Sequence, residues 1–268
     1  SLPSAALDPA ACDAKFQTVE GGMVGYWTFD DMTDPTAADY GSVHGTNHGA
    51  LWTDLGAVGG ALDYDGHNHY VDLGTSIDVP AWSSYSIAVW FLNDGDGEEN
   101  RGYGSKIFAK ETMFHNAAFA LLPTYGNLIF QTYEAGDDRL STAHPGGYNY
   151  WGDDTWHLAI IVKEGGSGEL WIDGVLQDEQ PLRVVHASSE PLLLGYSSSS
   201  DGYSRLHCGG MIDEFAIFDR ALTHEEINDL YASSSAGAGY CGRTVELDAT
   251  AQSLGATVDI RYGPAGLG

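Results

Sequence analysis

Two stretches carry side chains able to grip a carbohydrate. A sugar presents C–H faces and hydroxyl groups, so a site for one needs flat aromatic rings beside planar amides, carboxylates or guanidinium groups. The run HPGGYNYWGDD supplies Tyr148, Asn149, Tyr150 and Trp151 in a loop whose Gly and Pro residues put it on the surface. The run SSSSDGYSRLH adds Tyr203, Arg205 and His207. A second reading stays open for these rings, namely that they pack a long loop against the rim of the fold. Trp27, Trp90, Trp156 and Trp171 lie inside apolar strand patterns and read as core. Signatures of group transfer are missing, with no GxSxG elbow, P-loop or Gly-rich dinucleotide fingerprint. The histidines His44, His48, His67 and His69 cluster near the N-terminal loops without an HExxH pair, which argues against a zinc enzyme. The loop NDGDGEENRG begins like an EF-hand with Asp94 and Asp96, but Glu99 stands where Gly is required, so it reads as a solvated acidic loop.

The charge balance narrows the partners. Of 268 residues, 38 are acidic and 11 basic, a formal charge of -27. A phosphate backbone needs a cationic face to release its counterions, so nucleic acid is excluded, and an anionic membrane surface is disfavoured likewise. No run reaches the roughly 18 apolar residues of a spanning helix. The opening SLPSAALDPAAC has no signal-peptide pattern, which suggests a mature chain or a piece of a longer one. With only four lysines, most carboxylates must be solvated, screened by the salt of the habitat or met by bound calcium. Cys12, Cys208 and Cys241 show no CxxC spacing and suggest one disulfide, one leftover thiol and an oxidising compartment.

The elements that must position these groups are short strands. Glycine at 35 residues and aromatics at 12% suit strands joined by tight turns. Alternation marks strands at 23–29, 61–64, 69–73, 85–92, 106–109, 117–122, 127–133, 156–163, 169–172, 191–196 and 211–218, divided by turn clusters such as EGGSG. That number at that spacing predicts a two-sheet antiparallel sandwich, all-β in class. One short C-terminal helix is expected, because Thr223 and Glu226 have capping-box spacing and Ile227, Leu230 and Tyr231 then share a face. The expected organisation is an N-terminal arm at 1–19, one domain at 20–233, and a linker with tail strands at 234–268. The tail is an added edge strand or the start of a further domain, and offers a route to pairing with other copies of the chain.

The segments GYWTFDD, ADYGSVHGTNHGAL, GGALDYDGHNHYVDL, YSIAVWF, TWHLAIIV, GELWIDGVL, LLLGY and GGMIDEFAIFDRALTHEEINDLYA follow one another in an order that resembles the laminin-G-like, concanavalin A-like jelly-roll domains of extracellular proteins. The resemblance covers about residues 20 to 233. It implies a jelly-roll sandwich, frequent calcium binding and a role in carbohydrate or protein recognition. It further implies a disulfide between Cys12 and Cys241, whose flanks emerge at one edge of the fold, with Cys208 left as a buried thiol. In the jelly-roll order Asp213 lies beside the first strand, so Asp30, Asp39, Asn47 and Asp213 are the expected calcium ligands; the alternative is that Asp30 and Asp213 accept only turn and strand-end hydrogen bonds. Jelly-roll glycosidases that resemble laminarinases carry ExDxE-type carboxylates on one strand face, whereas here Asp213 and Glu214 are adjacent and expected on opposite faces. A lyase would need a Tyr, His and Arg set such as Tyr133, Arg139, His144 and Tyr150, a weaker alternative. The expectation is therefore a non-enzymatic, extracellular, calcium-stabilised module that binds a glycan or a cell-surface protein. Its rival is a structural or protein-interaction domain with no sugar site.

Overall fold

The computed structural model describes residues 22–36, 41–79, 82–93, 106–110, 119–124, 127–133, 137–142, 153–183, 188–197 and 207–237. Within them the strands are β1 (Met23–Trp27), β2 (Thr46–His48), β3 (Leu51–Thr53), β4 (Ala61–Asp65), β5 (Tyr70–Asp72), β6 (Ser84–Asn93), β7 (Phe108–Ala109), β8 (Phe119–Thr124), β9 (Asn127–Tyr133), β10 (Asp137–Ser141), β11 (His157–Glu164), β12 (Ser167–Ile172), β13 (Val175–Pro181), β14 (Leu193–Leu194) and β15 (Gly209–Phe218). One sheet has eight strands in the order β13-β12-β11-β6-β15-β4-β3, with β1 also paired to β15. The other has seven, in the order β10-β9-β8-β7-β14-β5-β2. Every pairing is antiparallel. The fold is the expected two-sheet jelly-roll sandwich.

The main core lies between the sheets. Trp27, Leu62, Val89, Ile161 and Phe215 from one face meet Val71, Phe108, Phe119, Phe130 and Leu194 from the other. Phe108 and Phe215 touch across the gap with ring centroids 5.6 Å apart. The eight-stranded sheet is buried on its outer face too, where Tyr26, Ala88, Trp90, Ile160, Trp171 and Phe218 form a second apolar cluster. Double burial explains why β6 and β11 read as unbroken apolar runs, YSIAVWF and HLAIIV, rather than as alternation.

The cover over that outer face is the helix α1 (His224–Ser235), which seats Ile227, Leu230 and Ser234. The Thr223 hydroxyl accepts from the Glu226 N–H and the Glu226 carboxylate accepts from the Thr223 N–H, so the capping box is complete. The Arg220 guanidinium clamps the same Glu226 carboxylate, at 2.8 Å and 2.9 Å. No described helix is long and apolar enough to cross a membrane.

Lysine placement is unusual for so acidic a chain. Lys106, Lys110 and Lys163 are all buried. The Lys110 ammonium donates to the Glu190 carbonyl at 2.7 Å, and that of Lys163 to the Ser83 and Gly165 carbonyls at 2.9 Å and 2.6 Å. Burial lowers the pKa of both amines. The Lys110 and Lys163 ammonium groups thus close loop ends from inside.

Candidate functional site

The strand β15 changes partner along one side, pairing β4 through Gly209–Ile212 and β1 through Phe215–Phe218. At the junction it carries an extra residue, since Asp213 faces Trp90 of β6 but Ala216 faces Ala88. Glu214 takes φ +50°, the left-handed region, to accommodate this bulge. Ile212 and Phe215 consequently both point into the main core, and Asp213 and Glu214 both turn to the outer side. The expectation that these two carboxylates occupy opposite faces is corrected by the bulge, which resets the alternation by one residue.

The outward turn assembles three carboxylates from distant segments. Asp213 accepts the Val58 N–H at 2.9 Å and the Glu214 N–H at 2.7 Å. Asp30, just after β1, accepts the Gly60 N–H at 2.6 Å. Glu214 accepts the buried hydroxyl of Tyr26. Burial pushes the Asp213 carboxyl far above its usual range, and the charges of Glu214 and Asp30 push it the same way. The cluster stitches the turn before β4 to β1 and β15.

The expected calcium ligands are Asp30, Asp39, Asn47 and Asp213. Asp30 and Asp213 are together, as expected, although both Asp213 oxygens already accept N–H groups. Asn47 stands apart, on β2 of the other sheet, with its amide donating to the Ala50 carbonyl at 2.8 Å. Asp39 lies outside the described residues. Among the described residues no three His, Cys, Asp or Glu side chains form a group able to hold a metal. Of the expected calcium ligands, the described residues thus bring together only Asp30 and Asp213.

A second feature escaped sequence reading. On the seven-stranded sheet His48 faces Tyr70 across β2 and β5, their rings parallel to within 8° and 4.2 Å apart. Tyr70 meets Tyr196 at 5.2 Å, and Tyr196 stacks on His207 at 4.3 Å. This four-ring row draws on residues 48, 70, 196 and 207, and only His207 was anticipated. Beside it, one Asp65 oxygen accepts the N–H groups of His67, Asn68 and His69 at 2.9, 3.0 and 3.0 Å. Partial burial opposes ionisation of Asp65, but the three N–H groups outweigh it and bring the carboxyl to about 2.

A third cluster has the outline of a nucleophile relay. His157 Nδ1 lies 2.8 Å from Asp173 Oδ2, and its Nε2 lies 3.0 Å from the Thr155 hydroxyl. The hydroxyl, however, donates to Asp153 at 2.6 Å. Burial opposes protonation of His157, yet Asp173 and Asp153 outweigh it and raise its pKa. With the Thr155 hydroxyl donating to Asp153 and the His157 ring against Asp173, the cluster locks the start of β11 to the β12–β13 turn.

The expected sugar-binding residues Tyr148, Asn149, Tyr150, Trp151, Tyr203 and Arg205 lie outside the described residues, as do Cys12, Cys241 and the acidic loop at 94–99. So do His144 and most of the expected tail; α1 itself runs to Ser235, past the expected boundary at 233. Cys208 is buried, with its Sγ donating to the Gly209 carbonyl at 3.6 Å. Trp27, Trp90 and Trp171 are core, and Trp156 is partly buried at the edge of the outer cluster.

A family model described as the concanavalin A-like lectin/glucanases superfamily matches residues 65–228. A botulinum-like toxin, eBoNT/J of Enterococcus sp. (strain 3G1_DIV0629), is 25% identical over 170 residues, 58% of this chain and 12% of the toxin, so the chain spans about an eighth of that relative. Among solved structures, domain 4 of AbnA, a GH43 extracellular arabinanase from Geobacillus stearothermophilus in complex with arabinotriose, superposes with a TM-score of 0.59 at 18% identity, covering 77% of this chain and 97% of that one. The binding domain of Paraclostridial Mosquitocidal Protein 1 gives 0.62 at 17% identity, covering 85% and 56%. The botulinum neurotoxin serotype D binding domain gives 0.60 at 15% identity, covering 78% and 51%.

Proposed function

The chain belongs to the concanavalin A-like lectin/glucanase superfamily, and from that premise we propose that it is a recognition module, without catalytic chemistry, whose ligand is a glycan on a cell surface or in an extracellular matrix. The observation that carries this reading is the match to a separate arabinanase domain with arabinotriose bound, which the chain covers over 97% of its length. The toxin binding domains point the same way, toward recognition attached to a larger protein. Fold alone does not name a ligand, so the proposal rests on these modules sharing a task and not only an architecture.

Extracellular placement and calcium belong to the same proposal. Asp30 and Asp213 would hold the ion, with Asp39 completing the set, at a bulge where the charges of Glu214 and Asp30 bear on the Asp213 carboxyl. A disulfide between Cys12 and Cys241 would close the chain ends and suits an oxidising setting. The test is a glycan array probed with the chain in calcium and in excess chelator, with melting followed in parallel. Expected is binding to at least one oligosaccharide class and a lower melting temperature in chelator; saturation at about 100 times the dissociation constant corresponds to roughly 2.7 kcal/mol. Absence of binding to any glycan would refute the recognition of sugars, and identical melting with no metal by elemental analysis would remove calcium alone.

A further inference from the structure

We propose that the row of rings on the seven-stranded sheet ends in a docking face for an uncharged oligosaccharide, with one sugar ring stacked on the free face of His48 as the next rung. This deepens the glycan-binding reading and rests on it. The row is built from described residues, none of which belongs to the stretch at 143–152 that the sequence suggested.

The geometry is directional. Tyr70, Tyr196 and His207 spend their faces on one another, and His207 is buried. His48 gives one face to Tyr70, while β2 is the last strand of its sheet among the described residues. His48 is exposed. The Tyr70 ring holds the imidazole upright and in one plane, so its outer face is a flat surface set before any ligand arrives. Flat, fixed faces of this kind suit the C–H side of a sugar ring.

The turn that precedes β5 reaches the end of β2 that carries His48. Gly49, at φ +96°, follows His48 and lets the His69 ring approach so closely that a Cβ there would lie 2.7 Å from it. The turn carrying His67 and Asn68 is thereby brought against the end of β2, and both side chains are exposed. Asp65 clamps the backbone of that turn with three N–H bonds, so Asn68 is presented on a rigid support. Ordering is thus met at folding and not at binding, which lowers the cost of association. Charge selects among ligands. The neighbouring Asp65 and Asp72 are carboxylates and the chain carries -27 overall, so sialylated or sulfated glycans are repelled and uncharged ones are not.

The experiment uses an array of uncharged arabino-, galacto-, manno- and gluco-oligosaccharides with sialylated and sulfated counterparts, read with the parent chain, His48→Ala, Asn68→Ala, His48→Phe and Trp151→Ala. Expected is parent binding to uncharged members, a loss of about tenfold in His48→Ala, a smaller loss in Asn68→Ala, and retention in His48→Phe, which keeps a flat face. Circular dichroism and melting of each variant separate lost binding from lost fold. If binding survives His48→Ala and is lost in Trp151→Ala, or if the parent prefers acidic glycans, this site falls while the glycan-binding reading stands. If the folded parent binds no member, both fall.

Discussion

Tyr26→Phe removes one oxygen atom and leaves the ring, so it isolates the hydrogen bond that ties β1 to the bulge of β15. Tyr26 and Glu214 are both 0% exposed, and the tyrosine hydroxyl donates to the carboxylate. No cavity of ring size is created, so transfer and packing terms nearly cancel and the loss is that of the bond itself. A buried hydrogen bond to a carboxylate contributes about 1–3 kcal/mol. With roughly 2–4 °C per kcal/mol for a domain of this size, melting should fall by about 4–8 °C for a loss near 2 kcal/mol. Urea unfolding of the parent, Tyr26→Phe, Glu214→Gln and the double variant closes a cycle, and the coupling between the two sites should exceed about 0.5 kcal/mol. A Tyr26→Phe variant within about 0.5 kcal/mol of the parent, with no coupling to Glu214→Gln, would show that the bulge is held by core packing of Phe215 and that the hydroxyl is incidental.

His157 sets a pH dependence. Its folded pKa lies above its unfolded value of 6.5, so its contribution is fully present below that value and is lost as pH rises through the folded pKa. The stability difference between the parent and His157→Gln should therefore be largest in mildly acidic buffer and shrink toward alkaline pH; a constant difference in urea midpoints would contradict this. Ile227→Ala should cost about 2–5 kcal/mol, since that side chain is fully buried under α1, and Thr223→Ala about 1 kcal/mol through the lost cap. Equal, small effects in thermal melts would mean that α1 does not seal the outer face. Non-reducing peptide mapping should join Cys12 to Cys241 and leave Cys208 alkylated only after unfolding; a linkage to Cys208 would overturn the assignment of the chain ends.

The parts of the fold legible in the sequence were those that bury apolar surface. The strands at 85–92, 127–133, 156–163 and 211–218 all appear near their expected bounds, as does the capped helix. The four unread strands, β2, β3, β10 and β13, are the outermost strands of the two sheets. An edge strand covers little core, so sequences such as TNH, DDRLS and VLQDEQP carry no apolar period to detect. The bulge was hidden for a related reason, because MIDEFAIFD alternates plausibly until the register with β6 shows the extra residue. The ring row was unread because its members are separated by up to about 160 residues and meet only through sheet pairing. A signal was nonetheless present, since His48 and Tyr70 are polar aromatics at outward strand positions, and it was considered only as metal chemistry.

The three lysines closed inside the sandwich also determine how the molecule can be handled. Amine-reactive dyes, crosslinkers and coupling resins attack unprotonated, accessible amino groups, and Lys106, Lys110 and Lys163 are inaccessible in the native fold. Labelling of the native chain should thus spare these three lysines, and the appearance of modified Lys110 or Lys163 in a mass spectrum reports opening of the sandwich.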